Sequence, residues 1–372
     1  MRAFLIGLLL CLGLGSVAAA ESGVSEKKKH QLIEACAAAA SSVYEPEWRH
    51  VGFEINQIDT AIAIPTCETA LAAAPCCIVV KAWLAHAYLA RGEWGDREAA
   101  LPLLESAAAA GNVLGMALLS EVLTDELATP RQIARAAVLA RRAAEDGFVP
   151  GQYLLGKMLH NGTGMPVDDV EAGRWLELAA VGGFLQAKEL LAGLYLHGLG
   201  RPQDEVQARR LYEQAADEGS VEAFAALGSM HEFGQGVPKS DAVAAVYYET
   251  AAVFGDAFAQ NNLGYLYQHG LGVTRDEDRA LRLYQEAARQ GFAQAWYNLG
   301  YVHAFGIGVD TDANQANAYF RKAADMGVAE ASAQLAAAGF TREVIDAGRL
   351  PAVVPGDDAT ASLAVSGVTG PS

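Results

Sequence analysis

Apolar and small residues along this chain recur at the spacing of one helical face. Ala172, Trp175, Leu176 and Ala179-Ala180 stand at i, i+3, i+4 and i+7, the stripe by which a surface helix packs on its neighbours. That stripe is one copy of a longer period. Steps of 36 from Gly111 reach Gly147, Gly183, Gly219, Gly255, Gly291 and Gly327. Four residues before each glycine an alanine pair begins, from Ala107-Ala108 and Ala143-Ala144 to Ala287-Ala288 and Ala323-Ala324. Eleven before it is always alanine, from Ala100 to Ala316. Only 38 of 372 residues are glycine, so seven in register is no coincidence, and the chain is an array of repeated units.

Each unit reads as two helices. The second, helix B, carries the stripe and ends at the periodic glycine, which has no Cβ to clash at positive φ. It opens at Asp96, Asp168, Asp204, Asp276 or Asp312, with Ser240 in the same phase; side chains of this kind cap free amides of a first turn. Helix A precedes it, marked by Leu155-Gly156, Leu227-Gly228, Leu263-Gly264 and Leu299-Gly300, with Leu191-Ala192 in the same phase. A glycine inside a helix costs about 1 kcal/mol relative to alanine, so its recurrence predicts close packing, here against the alanine pair of helix B. Paired glycines join the helices at Gly162/Gly164, Gly198/Gly200, Gly234/Gly236, Gly270/Gly272 and Gly306/Gly308. They follow a helix, where a phosphate-binding loop follows a strand, and Gly162-Thr163-Gly164-Met165-Pro166-Val167 has no third glycine, so a nucleotide site is not expected.

These residues resemble Sel1-like repeats, relatives of tetratricopeptide repeats. Ala259-Gln260-Asn261-Asn262-Leu263-Gly264-Tyr265-Leu266-Tyr267-Gln268-His269-Gly270-Leu271-Gly272-Val273 holds nearly the whole motif. The resemblance covers about three-quarters of the chain and implies an all-α fold, a right-handed α-solenoid superhelix of helix-turn-helix repeats. The expected units are 77–112, 113–148, 149–184, 185–220, 221–256, 257–292 and 293–328. Before them come a signal peptide at 1–20, a cap segment at 21–57 and a partial helix at 58–76. A capping helix at 329–347 and a disordered tail at 348–372 follow. The motif is weaker near the start: 113–148 has Glu126 and Ala128 in place of the glycines, while 77–112 has Leu84 at the tight position and Pro102 within helix B. The cap segment resembles the region that precedes such arrays in some exported alphaproteobacterial proteins, where a cysteine pair occurs.

Composition narrows the class. The chain has 27 Lys and Arg against 44 Asp and Glu, a net charge of −17, which argues against nucleic-acid binding. Met1–Ala20 has a positive residue, an apolar run and Ala18-Ala19-Ala20, the form of a cleaved secretory signal. No later run is long enough to cross a membrane, so the expected location is periplasmic or secreted, with no membrane insertion after cleavage. In an oxidising compartment cysteines pair, and Cys36–Cys67 is the preferred bridge. Cys76 and Cys77 are adjacent and do not readily pair with each other; they are either buried thiols or part of a different pairing.

A solenoid offers an extended groove suited to a peptide or helix of another protein. In the resembling family the first helices line it, which points to Tyr153, Lys157, Asn261, Tyr265, Gln268, Tyr297, Tyr301 and Ala304 as candidate partner-binding positions; several of the aromatics are equally read as packing against the next hairpin. The expected partner is another exported or membrane-anchored protein. No cofactor, metal or catalytic residue is expected: His231 and His303 take the tyrosine place of the motif, His160, His197 and His269 end their helices, and no histidines stand at i, i+3 or i+4 with carboxylates. Ser25-Glu26-Lys27-Lys28 spells S-x-x-K without K-T-G or S-D-N, and a catalytic serine needs an organised neighbourhood. The expected function is a non-catalytic adaptor or regulator; the alternatives are glycan or peptidoglycan binding and, less favoured, a β-lactam or peptidoglycan hydrolase.

Overall fold

The computed structural model describes residues 24–41, 57–125 and 127–336. The signal peptide, most of the 42–57 stretch, Glu126, the end of the expected capping helix and the tail lie outside the described residues. Among the described residues there are 17 helices and no strand, and successive helices pack against each other from Glu26 to Val181 and from Glu205 to Ala336. This is an all-α repeat solenoid. The chain divides into two compact units, the first running to Ala187 and the second starting at Lys188.

The first unit contains α1 (Glu26–Ala40), α2 (Thr60–Ala73), α3 (Ile78–Arg91), α4 (Asp96–Ala109), α5 (Val113–Val122), α6 (Pro130–Glu145), α7 (Val149–Asn161) and α8 (Asp169–Val181). Ser25 is the N-cap of α1, its hydroxyl accepting from Lys28 N, which gives the S-x-x-K serine a structural place. Cys36 and Cys67 form a disulfide joining α1 to α2, with Cα atoms 4.7 Å apart. Cys77 is fully buried and disulfide-bonded, whereas Cys76 is an exposed free thiol, so the two are not a pair of buried thiols and one of them joins a different pairing. His86 on α3 is buried, its Nδ1 3.0 Å from Ala40 O at the end of α1. Desolvation lowers its pKa to about 4, the Ala40 contact pulling the other way, so this core histidine is neutral at physiological pH. Its ring therefore serves as a donor to one of the last carbonyls of α1.

In the second unit are α9 (Leu185–His197), which begins at the boundary, α10 (Glu205–Asp217), α11 (Val221–Phe233), α12 (Asp241–Val253), α13 (Ala257–His269), α14 (Glu277–Arg289), α15 (Ala293–Phe305), α16 (Ala313–Asp325) and α17 (Ala329–Ala336). The odd-numbered members from α3 to α15 are A helices and the even-numbered ones from α4 to α16 are B helices. Ser240, Asp276 and Asp312 cap α12, α14 and α16 through the amides of Val243, Arg279 and Gln315, and Asp168 caps α8 in the first unit. Asp96 departs from the pattern. Gly95 takes the cap position of α4, and the Asp96 carboxylate instead accepts from Arg91 Nε and Glu93 N, both at 2.9 Å.

The recurrent Leu-Gly glycine does not meet the alanine pair of its own hairpin. A Cβ built on Gly264 would stand 2.9 Å from Tyr284 Cε1, one on Gly228 2.6 Å from Tyr248 Cδ1, and one on Gly300 2.8 Å from Phe320 Cε1. The missing methyl is the socket for a large ring of helix B, and Tyr248, Tyr284 and Phe320 are fully buried there. The alanine pair faces the next hairpin instead. A Cβ on Gly151 would lie 2.7 Å from Ala143 Cβ, and one on Gly115 2.6 Å from Ala107 Cβ. Ala223, Ala259 and Ala295 hold that small-residue position in the second unit, each at 0% exposure. Burying a ring of this size contributes on the order of 2–3 kcal/mol, which outweighs the helix propensity lost at the glycine.

The loop glycines divide their work. The first of each pair ends helix A in the left-handed region, as Gly270 does at φ 66°. The second rests on the first turn of the preceding helix B: a Cβ on Gly236 would be 2.7 Å from the Glu205 backbone carbon, and Gly236 N donates to Glu205 Oε2 at 2.7 Å. Where 113–148 lacks the pair, α5 is ten residues long against thirteen in α7. Without a residue suited to positive φ at that point, helix A stops early.

Candidate partner-binding face

The A helices turn one face away from the B helices, and side-chain exposure shows which positions it presents. On α13 the half-exposed or exposed residues are Ala257, Phe258, Asn262, Tyr265 and His269, of which Phe258 and Asn262 lean on Tyr248 of α12; on α15 they include Gln294, Tyr301 and Phe305, and on α11 Glu222, Ala226 and Phe233. Tyr265 and His269 lie with ring centroids 4.3 Å apart, Tyr301 and Phe305 4.5 Å apart. The second unit thus repeats an aromatic pair, at the same phase, on two successive A helices. Burial raises the pKa of both Tyr265 and Tyr301, so each phenol is a neutral hydrogen-bonding group at ordinary pH.

Four expected face residues are interior. Asn261, Gln268 and Tyr297 are 4%, 4% and 3% exposed, and Ala304 is wholly buried. Asn261 Oδ1 accepts from Asn298 Nδ2 at 2.8 Å, tying α13 to α15. Gln268 Oε1 accepts from Tyr284 OH at 3.0 Å. Tyr297 meets Phe320 edge-on at 5.4 Å and shares a hydrogen bond with Gln334 of α17. Each answers a buried polar group or fills the hairpin interface, and leaving such a group unmet would cost about 1–3 kcal/mol. The exposed stripe lies to one side of them around the helix. Stepping i, i+4 from Tyr265 and Tyr301 reaches His269 and Phe305, and the same phase on α11 is Phe233. That helical count is the signal by which the missed positions are legible.

The first unit places Tyr153 and Lys157 together on α7. Both are half-buried; the Lys157 ammonium sits 6.0 Å from the Tyr153 ring centroid, and the ring stacks on Phe184 at 4.7 Å. Glu121 of α5 is exposed.

The histidines are packing and pairing residues. His231 stacks on Tyr247 at 5.5 Å and His303 lies 5.3 Å from Tyr319. His160 pairs with Asp169 at 2.6 Å, a side-chain partner in place of the helix-end carbonyls. Among the described residues no group of three or more His, Cys, Asp or Glu is placed to hold a metal ion, and no helix is long and apolar enough to cross a membrane.

Stacked helical hairpins with one repeated, uncovered A-helix face define a solenoid of the protein-interaction class. The Sel1 repeat pattern matches residues 114–148, 149–183, 186–220, 221–252, 257–292 and 293–328, more than half of the chain, which therefore belongs to the Sel1 repeat family. Among solved structures it is similar to a protective antigen present in uropathogenic Escherichia coli strains displaying an SLR fold. That likeness has 29% identity and a TM-score of 0.57 over 73% of this chain and 60% of the other. It is also similar to a Sel1 repeat protein from Oxalobacter formigenes, with 28% identity and a TM-score of 0.59 over 64% of this chain and 96% of the other. No curated protein matches the sequence. Sel1 repeat proteins are generally protein-interaction scaffolds, and the fold is typically non-catalytic.

Proposed function

We propose that this chain is a periplasmic adaptor or regulator that acts without catalysis, holding another exported or membrane-anchored protein against the A-helix face. The observation that carries the reading is the repeated aromatic pair, Tyr265–His269 and Tyr301–Phe305, left partly open on successive A helices. Large rings that a fold has room to bury and leaves accessible are typical interaction anchors. Export is supported by the signal-like Met1–Ala20 and by the Cys36–Cys67 bridge, since disulfides persist in oxidising compartments.

The test is photo-crosslinking from position 265 in intact native cells, followed by fractionation and mass spectrometry. The expected outcome is one protein adduct in the periplasmic fraction, and pull-down of that protein is lost in Tyr265→Ala/Tyr301→Ala with helicity retained. A cytoplasmic adduct overturns the location. Retention of purified peptidoglycan with no protein adduct overturns the protein partner in favour of a glycan.

A further inference from the structure

The outer faces of the B helices in the second unit are not alike. On α12, Val243, Val246, Val253 and the adjoining Phe254 are 38%, 66%, 77% and 70% exposed. The positions of Val246 and Val253 hold Arg210 and Asp217 on α10, and Arg282 and Arg289 on α14. Thr250 belongs to the same stripe; its hydroxyl donates to Val246 O at 3.0 Å, so its methyl is what is left to pack. Ala244, Tyr248 and Ala251 already fill the buried side of α12, so the valines are not needed for the hairpin core. One B helix is thus apolar outside where the B helices before and after it are charged, and contiguous exposed apolar patches mark contact surfaces.

The spacing of the stripe points to its occupant. Positions 243, 246, 250 and 253 follow the i, i+3, i+7, i+10 run of a helix seam, and they are symmetric about Tyr248. Turned end for end about that point, the stripe meets itself. Val243 then opposes Val253, Val246 opposes Thr250, and the large Phe254 opposes the small, exposed Ala242. The charges of α14 share the symmetry. Arg279 of α14 pairs with Glu249 of α12, which holds the two helices side by side. The same reversal sets Arg282 against Glu286; both are exposed, and neither forms an ion pair among the described residues. Arg279, which would oppose Arg289, is already turned onto Glu249 and the Tyr267 ring.

We propose that the outer face of α12 is a self-association surface, on which a second copy of the chain lays its own α12 antiparallel about a two-fold axis at Tyr248. An isologous contact of this kind requires a patch complementary to itself; an unrelated partner does not. The inference is independent of the A-helix face, which each copy of the dimer keeps. A seam on one helix of thirteen residues is small against the roughly 1,200 Å² of a stable interface, and each copy carries a net charge of −17. The dimer is therefore weak and reversible, with a dissociation constant on the order of tens of micromolar.

The test is sedimentation velocity of the protein purified from its own cells, over a wide concentration range. The ionic strength is about 0.15 M, where a Debye length of about 8 Å confines the repulsion between copies. A Cys76→Ser background removes the exposed thiol as a link between copies. The average mass is expected to rise towards twice the monomer value with concentration. Val246→Glu/Val253→Glu weakens association at least about a hundredfold, because each carboxylate is buried unpaired in the seam. Arg282→Glu weakens it about tenfold, and Arg282→Glu/Glu286→Arg restores it to within about threefold. Val181→Glu, at an exposed apolar position on α8 of the first unit, leaves it unchanged. On oxidation Val243→Cys/Val253→Cys gives a linked dimer and Val243→Cys alone does not. A protein that stays monomeric throughout overturns the proposal, and a photo-crosslink from position 246 to a different protein in cells then assigns the face to that partner. Dimers that persist in a helical Val246→Glu/Val253→Glu variant, or that form only with Cys76 present, also overturn it. Should the glutamate pair lose helicity, the Arg282→Glu loss and its rescue decide.

Discussion

The two units hold their hairpins together by different means. In the second, three successive hairpins use one device, a ring of helix B seated on a helix A glycine: Tyr248 on Gly228, Tyr284 on Gly264 and Phe320 on Gly300. In the first, the same phase carries Leu84, Ser120 and Gly156. Gly156 seats Leu176 in place of a ring, and the Ser120 hydroxyl donates to Ala136 O at 2.9 Å. The start of that unit is fastened by a disulfide and by a buried histidine on a helix end. Repetition of one socket leaves each A helix free to vary its outer face.

The largest test of this contrast sets a seated loop glycine against an open one. Gly236→Ala places a methyl 2.7 Å from the Glu205 carbonyl carbon at φ +66°, whereas Gly95 has φ +91° and nothing within 4 Å. Left-handed strain alone costs about 1–2 kcal/mol; overpacking against backbone adds about 1–3. We expect Gly236→Ala to destabilise the second unit by about 3–4 kcal/mol in a urea titration, and Gly95→Ala to destabilise the first by about 1–2. Equal losses would mean that the loop glycine is there for its φ alone, without contact between hairpins.

A smaller effect separates the units by pH. His86 has a folded pKa of about 4 against an ordinary 6.5, so the unfolded chain takes up the proton first. Its contribution is intact above the unfolded value and declines as pH falls from about 6.5 towards 4. At pH 5 the loss is about 2 kcal/mol relative to pH 7, order of magnitude only. Comparing melts of wild type and His86→Gln between pH 7 and 5 isolates the term. The wild type should lose more stability than the variant over that interval, with the difference confined to the first unit; parallel curves would show the ring to be hydrated.

The distance between sequence and structure follows the same division. The 36-residue glycine count, the alanine pairs and the caps at Asp168, Ser240, Asp276 and Asp312 are legible because each is set by local backbone geometry, and the Cys36–Cys67 bridge because few pairings are available. Asp96 breaks the cap pattern because Arg91, five residues earlier, offers it a charged partner. The expected face positions that lie inside, Asn261, Gln268, Tyr297 and Ala304, turn on an angular shift around helix A. The hairpin interior reaches further round that helix than an amphipathic stripe implies, since buried tyrosine hydroxyls need amide partners such as Gln268. Phase within the repeat is local information; which residue meets the next hairpin is not.

The smallest effect lies on the outside of the array, where charges link successive B helices thirty residues apart. In the first unit Arg135 Nη1 bonds Glu105 Oε1 at 2.6 Å and Arg141 Nη1 bonds Glu171 Oε1 at 2.7 Å; in the second, Arg279 pairs with Glu249. The pattern invites the view that a charge ladder clamps the repeats. Exposure argues against it, since Arg135 and Glu105 are 49% and 39% exposed and Arg279 and Glu249 are 40% and 47%. Water screens such pairs, and ordering two long side chains offsets most of the attraction, leaving about 0–1 kcal/mol each. We therefore expect Arg135→Ala and Arg279→Ala to destabilise their own units by about 0.5 kcal/mol or less at moderate salt. Arg279→Ala should cost the more, because its guanidinium also covers Tyr267 at 4.4 Å. A double-mutant cycle of Arg279→Ala with Glu249→Ala, repeated at high salt, separates the two terms: the coupling to Glu249 fades with salt while the loss of the ring contact persists. A coupling above about 2 kcal/mol would instead make the outer charges, not the ring sockets, the principal fastening of the second unit.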